Sequence, residues 1–290
     1  MFETIEELVE LGNQHGSIHE AMILTEIEQT QYSREIIWEH MGKNLDVMMA
    51  SIKKGVGGVT SVTGLTGGDA PKLKEYIESG RYLTGKTALT AAQNAIAVNE
   101  VNAEMGLICA TPTAGSAGVA AGVLSAITDE YKLTREEQIN FLFTAGAFGL
   151  VIANNASISG AAGGCQAEIG SASAMASAAL VEYCGGTPEQ SAQAVAITIK
   201  NMMGLICDPV AGLVEVPCVK RNALGATQAF VSADMSLAGI TSVIPPDEVV
   251  EAMHIVGMQM PSIFKETGEG GLAATKTGKA IKNRIFPKEN

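Results

Sequence analysis

Three of the five cysteines stand where glycine or proline bends the chain. Cys165, Cys207 and Cys218 lie in GGCQ, CDPV and VPCV. Glycine lets a main chain approach an inorganic centre closely, and proline fixes a loop so that a thiolate can point inward at small entropic cost. The spacing Cys-x41-Cys-x10-Cys is none of the compact ferredoxin or zinc-finger patterns. The residues alone leave two interpretations open: a metal centre held by three thiolates, or three buried thiols that pack as small hydrophobes.

A three-thiolate centre would have a particular chemistry. An iron-sulfur cube held by only three cysteines leaves one iron with an open coordination position, and such an iron can act as a Lewis acid. The other two cysteines, Cys109 and Cys184, end apolar runs with helical character and are typical of small core hydrophobes. An odd number of cysteines in a chain without a signal peptide also argues against a disulfide framework.

A glycine-rich segment, ATPTAGSAG at 110–118, leads into an Ala/Val-rich run. Pro112 stiffens the turn, and the free N–H groups at the start of the next helix could hold a carboxylate together with nearby hydroxyls. The predicted substrate-binding residues here are Thr113, Ala114, Gly115 and Ser116. An ordinary cap and turn is the alternative interpretation.

Basic and amide side chains follow the third cysteine. Lys220, Arg221 and Asn222 come two to four residues after Cys218 and could bring positive charge and donors towards a bound substrate. A solvated surface pair is the alternative for Lys220 and Arg221.

A second loop, SVTGLTGGD at 61–69, offers another set of hydroxyls and free amides. Its Asp69 could bind an ammonium group, but capping of the helix that follows is the role that the sequence favours.

The elements that position these residues are predicted to be helices. Apolar residues from Ile37 to Ile52 recur at steps of four and three, which indicates a long N-terminal helical hairpin over 17–52. Thr134 and Thr187 each precede Glu or Gln by three residues, as in a capping box. Strand patterns are scarce, so the sequence predicts a mainly α fold: a single compact helical catalytic domain over 1–290 with glycine-rich loops. The segment 268–290 is predicted to be mobile, or ordered only against a partner.

Composition excludes several classes of partner. The net charge of −12 argues against nucleic acid and anionic membranes, which need a basic surface. The longest apolar stretch, Phe141 to Ala153, is shorter than a bilayer span and is predicted to be a buried helix. The acidic, amphipathic start of the chain does not have the character of a signal peptide, so we expect a cytosolic protein.

Taken together, four motifs resemble the alpha chain of iron-sulfur-dependent L-serine dehydratases of the two-chain kind. They are SVTGLTGGDA at 61–70, ATPTAGSAG at 110–118, GGCQAEIGSASAMA at 163–176 and CDPVAGLVEVPCVKRNALGA at 207–226. The resemblance implies a helical catalytic chain without pyridoxal phosphate that converts L-serine to pyruvate and ammonia. It also implies a [4Fe-4S] cluster on Cys165, Cys207 and Cys218 and a separate beta chain in a heteromer. Single-chain members often have Pro-Thr-Asn-Gly where this chain has Thr-Ala-Gly-Ser.

Elimination of water from serine needs assistance for two events: departure of the β-hydroxyl and removal of the α-proton. A Lewis-acidic iron would stabilise the departing hydroxide while a base removes the α-proton. Ser116 and Lys220 are the predicted catalytic candidates, although either would need a strongly lowered pKa. Two rival functions are a pyridoxal-phosphate dehydratase, which would require a large α/β sheet, and a non-catalytic metal-binding subunit or scaffold.

Overall fold

Helices dominate the computed structural model, which describes residues 2–287. The described part contains thirteen α-helices and no strand longer than an isolated bridge. The α-helices are, in chain order, α1 (Ile5–His15), α2 (Ile18–Thr30), α3 (Arg34–Val56), α4 (Asp69–Glu78), α5 (Lys86–Ala103), α6 (Gly118–Tyr131), α7 (Arg135–Asn155), α8 (Gly160–Gly163), α9 (Cys165–Tyr183), α10 (Pro188–Met202), α11 (Cys218–Leu237), α12 (Pro246–Gln259) and α13 (Lys276–Ile285). The predicted mainly α fold is confirmed.

The predicted capping boxes start two of these helices. Thr134 accepts from the backbone N–H of Glu137 at the start of α7, and the Glu137 carboxylate accepts from the backbone of Thr134. Thr187 and Gln190 form the same reciprocal pair at the start of α10, where Pro188 is the first helical residue. Both boxes satisfy N–H groups that have no partner inside the helix.

The core lies around α9, which is buried from Cys165 to Val181 and packs on α7, α10 and α11. Its sequence is built from Ala, Ser and Gly, so neighbouring helices approach its backbone closely. α5 and α6 form a second closely packed pair. Only 4% of the residues are aromatic, and the small side chains compensate for this because close packing replaces bulk.

One expectation about packing was incomplete. The predicted N-terminal hairpin is present as α2 and α3, but α2 packs mainly on α7 and α3 mainly on α5. The apolar face of α3 therefore packs against the central core more than against α2. Among residues 2–287, no helix has both the length and the apolar character that a bilayer span requires.

The start of the predicted mobile segment is ordered locally. Residues Gly271–Ala274 form a 3₁₀ turn, and Thr275 caps α13 by accepting from the backbone N–H of Gly278. Residues 288–290 lie outside the described part. Mobility of 268–290, and ordering against a partner, stay predictions.

Two glycines give a matched test of the packing. A Cβ on Gly122 of α6 would lie 2.6 Å from the carbonyl oxygen of Ala91 and 2.7 Å from the backbone nitrogen of Ala95, both in α5. Gly146 of α7 has nothing within 4 Å of the same position. We expect Gly122→Ala to destabilise the fold by about 1–3 kcal/mol, because the backbone of α5 must move. Gly146→Ala should stabilise it by about 0.5–1 kcal/mol through helix propensity. Thermal unfolding checks both, and equal shifts of Tm in one direction would contradict the packing.

Candidate metal centre

All three predicted ligand cysteines are buried, and two of them begin helices. Cys165 is the first residue of α9 and Cys218 the first residue of α11. Cys207 lies in the loop between α10 and α11. The positive end of a helix dipole favours a thiolate over a thiol. Two of the three sulfurs therefore lie at helix N-termini, which suit an anionic metal ligand.

Cys207 is held by the C-terminal part of the chain. Its backbone N–H donates to the carbonyl of Phe264 at 2.8 Å, and its own carbonyl accepts from the N–H of Glu266 at 3.1 Å. These bonds form a short parallel bridge between Cys207 and Lys265. A tertiary contact, and not the local sequence, therefore fixes the position of this thiol.

A carboxylate lies close to two of the cysteines. The ligand atoms of Cys165, Glu168 and Cys207 all lie within 4.8 Å of one another, and all three residues are buried. Glu168 is one helical turn after Cys165 on α9, which places both side chains on the same face. The three form a possible metal-binding group.

Cys218 is not a member of that group, but its thiol is in electrostatic range of it. Burial raises the pKa of Cys218, the negative charges of Cys165 and Glu168 raise it further, and Arg221 lowers it. The two closer thiols behave as a pair. The hydrogen bond from the Cys207 thiol lowers the pKa of Cys165 and raises that of Cys207, so Cys165 is the one that ionises first.

The glycine-rich segment 110–118 meets the group through Glu168. The Thr113 hydroxyl donates to Oε1 of Glu168 at 2.6 Å and lies 3.0 Å from the hydroxyl of Ser116. Burial raises the pKa of Glu168; the Thr113 hydrogen bond opposes this shift, and the charge of Glu266 adds to it. A chain of hydroxyls thus connects Ser116 to a buried carboxyl beside the cysteines.

Asn222 secures this segment to α11. Its side-chain amide donates to the carbonyl of Gly115 at 2.7 Å and to that of Cys218 at 3.0 Å, and its oxygen accepts from the N–H of Gly118 at 3.1 Å. The side chain is fully buried and its polar atoms are engaged with the main chain. Asn222 therefore fixes the loop relative to the cysteine, while Ala114 is exposed at the tip of the loop. The substrate-binding roles of Asn222 and Ala114 stay predictions.

The two basic residues have different surroundings. Lys220 is 65% exposed and its ammonium lies 2.8 Å from Oδ2 of Asp69. Arg221 is 15% exposed, lies 2.8 Å from Oδ1 of Asp208 and donates to the sulfur of Cys165 at 3.4 Å. The surface pair that the sequence offered as an alternative describes Lys220 but not Arg221. A catalytic role for Lys220 stays a prediction.

The loop at 61–69 is hydrogen-bonded to the loop between α10 and α11, which carries Cys207. The hydroxyls of Thr63 and Thr66 donate to the two carboxylate oxygens of Glu215 at 2.7 and 3.0 Å.

The predicted capping role of Asp69 is wrong: Gly68 occupies the cap position without a side-chain bond, and the carboxylate of Glu100 accepts from the N–H of Asp69. Asp69 instead pairs with Lys72 and Lys220.

Cys109 packs against the core, as predicted for a small hydrophobe, but its place in the chain differs from the prediction. It does not end a helix, because α5 stops at Ala103 and Cys109 lies in the loop before α6. Cys184 does follow the end of α9, but it is exposed, so its prediction as a small core hydrophobe is wrong.

Three acidic residues of the site were not identified from the sequence. Glu168 carried a signal, because it follows Cys165 by one helical turn. Asp208 adjoins Cys207 but gave no sign of its direction. Glu266 carried no signal in the sequence, because only the tertiary fold brings it to the site. Its position is visible at Gly160, where an added Cβ would lie 2.9 Å from Cys207 Sγ, 3.2 Å from Glu266 Oε2 and 3.3 Å from Glu168 Oε2.

The sequence of this helical chain, with its buried thiol and carboxylate group, matches a known class of proteins. The family model described as serine dehydratase alpha chain matches residues 13–273, and the chain belongs to this family. The probable L-serine dehydratase, alpha chain, of Bacillus subtilis (strain 168) is 61% identical over 287 residues, which are 99% of this chain and 96% of that protein. The L-serine dehydratase, alpha chain, of Peptoniphilus asaccharolyticus is 45% identical over 100% of this chain and 99% of its own length. L-serine dehydratase 1 of Escherichia coli (strain K12) is 42% identical over 62% of this chain and 40% of its own length. The predicted family is confirmed.

Proposed function

We propose that this chain is the catalytic alpha chain of an L-serine dehydratase, a lyase that converts L-serine to pyruvate and ammonia. The observation that carries the proposal is the meeting of Cys165, Cys207 and the buried carboxyl of Glu168 under the loop at 110–118. Relatives that match nearly the whole chain are named for this activity. The rival with pyridoxal phosphate required a large sheet, which the described residues lack.

We propose that Cys165, Cys207 and Cys218 hold a [4Fe-4S] cluster. The donor set supports this: the three thiols are buried, two of them begin helices, and one sulfur receives a guanidinium N–H. The backbone at Gly160 also passes so close to Cys207 Sγ that a side chain there would meet the sulfur. When bound, a cluster with three protein ligands supplies a Lewis-acidic iron that activates the hydroxyl of serine as a leaving group.

We assign Glu168 the role of holding a proton at the site. Burial raises its pKa, so its carboxyl retains a proton to higher pH than an exposed glutamate and can donate it to the departing hydroxide. Thr113 fixes the direction of that carboxyl by donating to Oε1. In the net reaction the α-proton and the β-hydroxyl leave as water, and the aminoacrylate that results hydrolyses to pyruvate and ammonia. Ser116 and Lys220 stay predictions for the group that removes the α-proton.

The partner chain follows from the same proposal. Relatives that match the full length are named alpha chains, so we propose a heteromer with a beta chain. A cytosolic location stays a prediction. The alternative of a non-catalytic metal-binding subunit is not favoured, because those same relatives carry the name of the enzyme.

Anaerobic purification followed by an assay of pyruvate formation tests the proposal. We expect pyruvate from L-serine, by the chain alone or with a co-purified partner, and L-threonine as a parallel substrate measures specificity. Absence of pyruvate in both preparations, with the cluster loaded, would contradict the proposed activity. A sharp cofactor absorbance band that shifts on addition of serine would support the pyridoxal-phosphate rival instead.

A further inference from the structure

Arg221 is committed to groups of its own chain. Its Nη1 donates to the carbonyl of Ile206 at 2.8 Å and to Sγ of Cys165 at 3.4 Å, and its Nη2 lies 2.8 Å from Oδ1 of Asp208. The guanidinium is a planar fork that recognises a carboxylate with paired N–H groups. Here a carboxylate of the protein lies within ion-pair distance of one nitrogen of that fork, Nη2.

Asp208 is itself held in place. Its side chain is 4% exposed, and Oδ2 accepts from the N–H of Leu272 at 2.8 Å. Gly271 has a φ of +54°, and any side chain there would overlap the Asp208 carboxylate. The segment around 271–272 therefore encloses Asp208 and fixes the partner that orients Arg221.

Hydrogen bonds to a ligand sulfur change the electronic properties of an iron-sulfur cluster. An N–H donor draws electron density from the thiolate, and a nearby positive charge stabilises the more reduced, more negative state of the cluster. Both effects raise the reduction potential. Arg221 supplies both at Cys165.

We propose that Arg221 is a positioning residue that donates to the sulfur of Cys165, is oriented by Asp208, and sets the reduction potential of the cluster, and that it does not bind the carboxylate of the substrate. This inference rests on the proposed function only in that the three cysteines must hold a cluster. It replaces the sequence-based interpretation of Arg221 as a substrate ligand.

The test compares Arg221→Gln, Arg221→Lys and Asp208→Asn in the anaerobic holoenzyme, with the exposed Arg135→Gln as the matched control. Redox titration followed by electron paramagnetic resonance gives the potential, and steady-state assays give the KM for L-serine. We expect a downward shift of potential that is largest for Arg221→Gln and smaller for Arg221→Lys, which retains the charge. For Asp208→Asn, which retains the acceptor for Leu272, we expect a smaller shift. The KM should stay within about twofold, since no substrate contact is lost.

A KM raised tenfold or more in Arg221→Lys with an unchanged potential would overturn the inference and restore the substrate role. If Arg221→Gln does not retain a cluster, the Arg221→Lys and Asp208→Asn proteins decide the matter by the same two measurements. Wild-type protein without iron would contradict the proposed function itself, which is a separate outcome.

Discussion

Serine at position 207 is expected to remove the cluster and the dehydratase activity together. Cys207 is one of the three members of the buried thiol and carboxylate group, and an alcohol is a poor ligand for an iron-sulfur cluster, which is held by thiolates. The Cys207→Ser protein should show background iron, no broad visible absorbance and no pyruvate formation above background. Cys184→Ser is the matched control, because Cys184 is exposed at the end of α9 and should keep full iron and activity. Normal turnover by cluster-free Cys207→Ser protein would end the proposal.

Glutamine at position 168 should give the second largest effect, with a different signature. Gln has the shape of Glu and can still accept from Thr113, but it cannot transfer a proton. Loss of a general acid costs about 10²–10⁴-fold in rate, so we expect kcat to fall within that range while iron content stays unchanged. Glu189→Gln is the control, since this exposed carboxylate at the start of α10 contacts Asn13 far from the site.

The pH profile adds an independent readout for Glu168. Its pKa is raised by burial, and a general acid must be protonated to act, so activity should decline as pH rises through that raised pKa. The same limb of the profile should be missing in the Glu168→Gln protein. Loss of iron together with activity in this variant would instead make Glu168 a metal ligand, and full activity would remove it from the chemistry.

Local signals in the sequence predicted much of the scaffold. The boxes at Thr134 and Thr187 involve residues three apart, so a reader of the sequence needs no tertiary information to place them. A glycine or proline within two residues of each ligand cysteine likewise marked points where the chain changes direction: two of these cysteines begin helices and the third lies in a loop.

Contacts with residues from other parts of the chain account for what the sequence could not predict. Asp69 has the residue type of a helix cap, but the basic side chain of Lys220 from α11 attracts its carboxylate and a buried glutamate satisfies the N–H groups. Arg221 has the residue type of a carboxylate ligand, but the carboxylate it meets belongs to Asp208. In both cases the partner lies more than ten residues away along the chain or faces a direction that no local pattern reveals.

Glu168 represents an intermediate case. Its distance of one helical turn from Cys165 is visible in the sequence, and the motif that contains both was recognised. Its importance comes from burial against Thr113 and Cys207, which depends on how α9 packs beneath two loops. A carboxylate next to a candidate ligand in the same helical face is therefore a signal that sequence reading can use.

Counting iron and acid-labile sulfide in wild-type protein purified without oxygen is the most direct test of the central claim. The account predicts about four of each per chain, in protein that forms pyruvate from L-serine. An active preparation that contains zinc, or no metal at all, would contradict it.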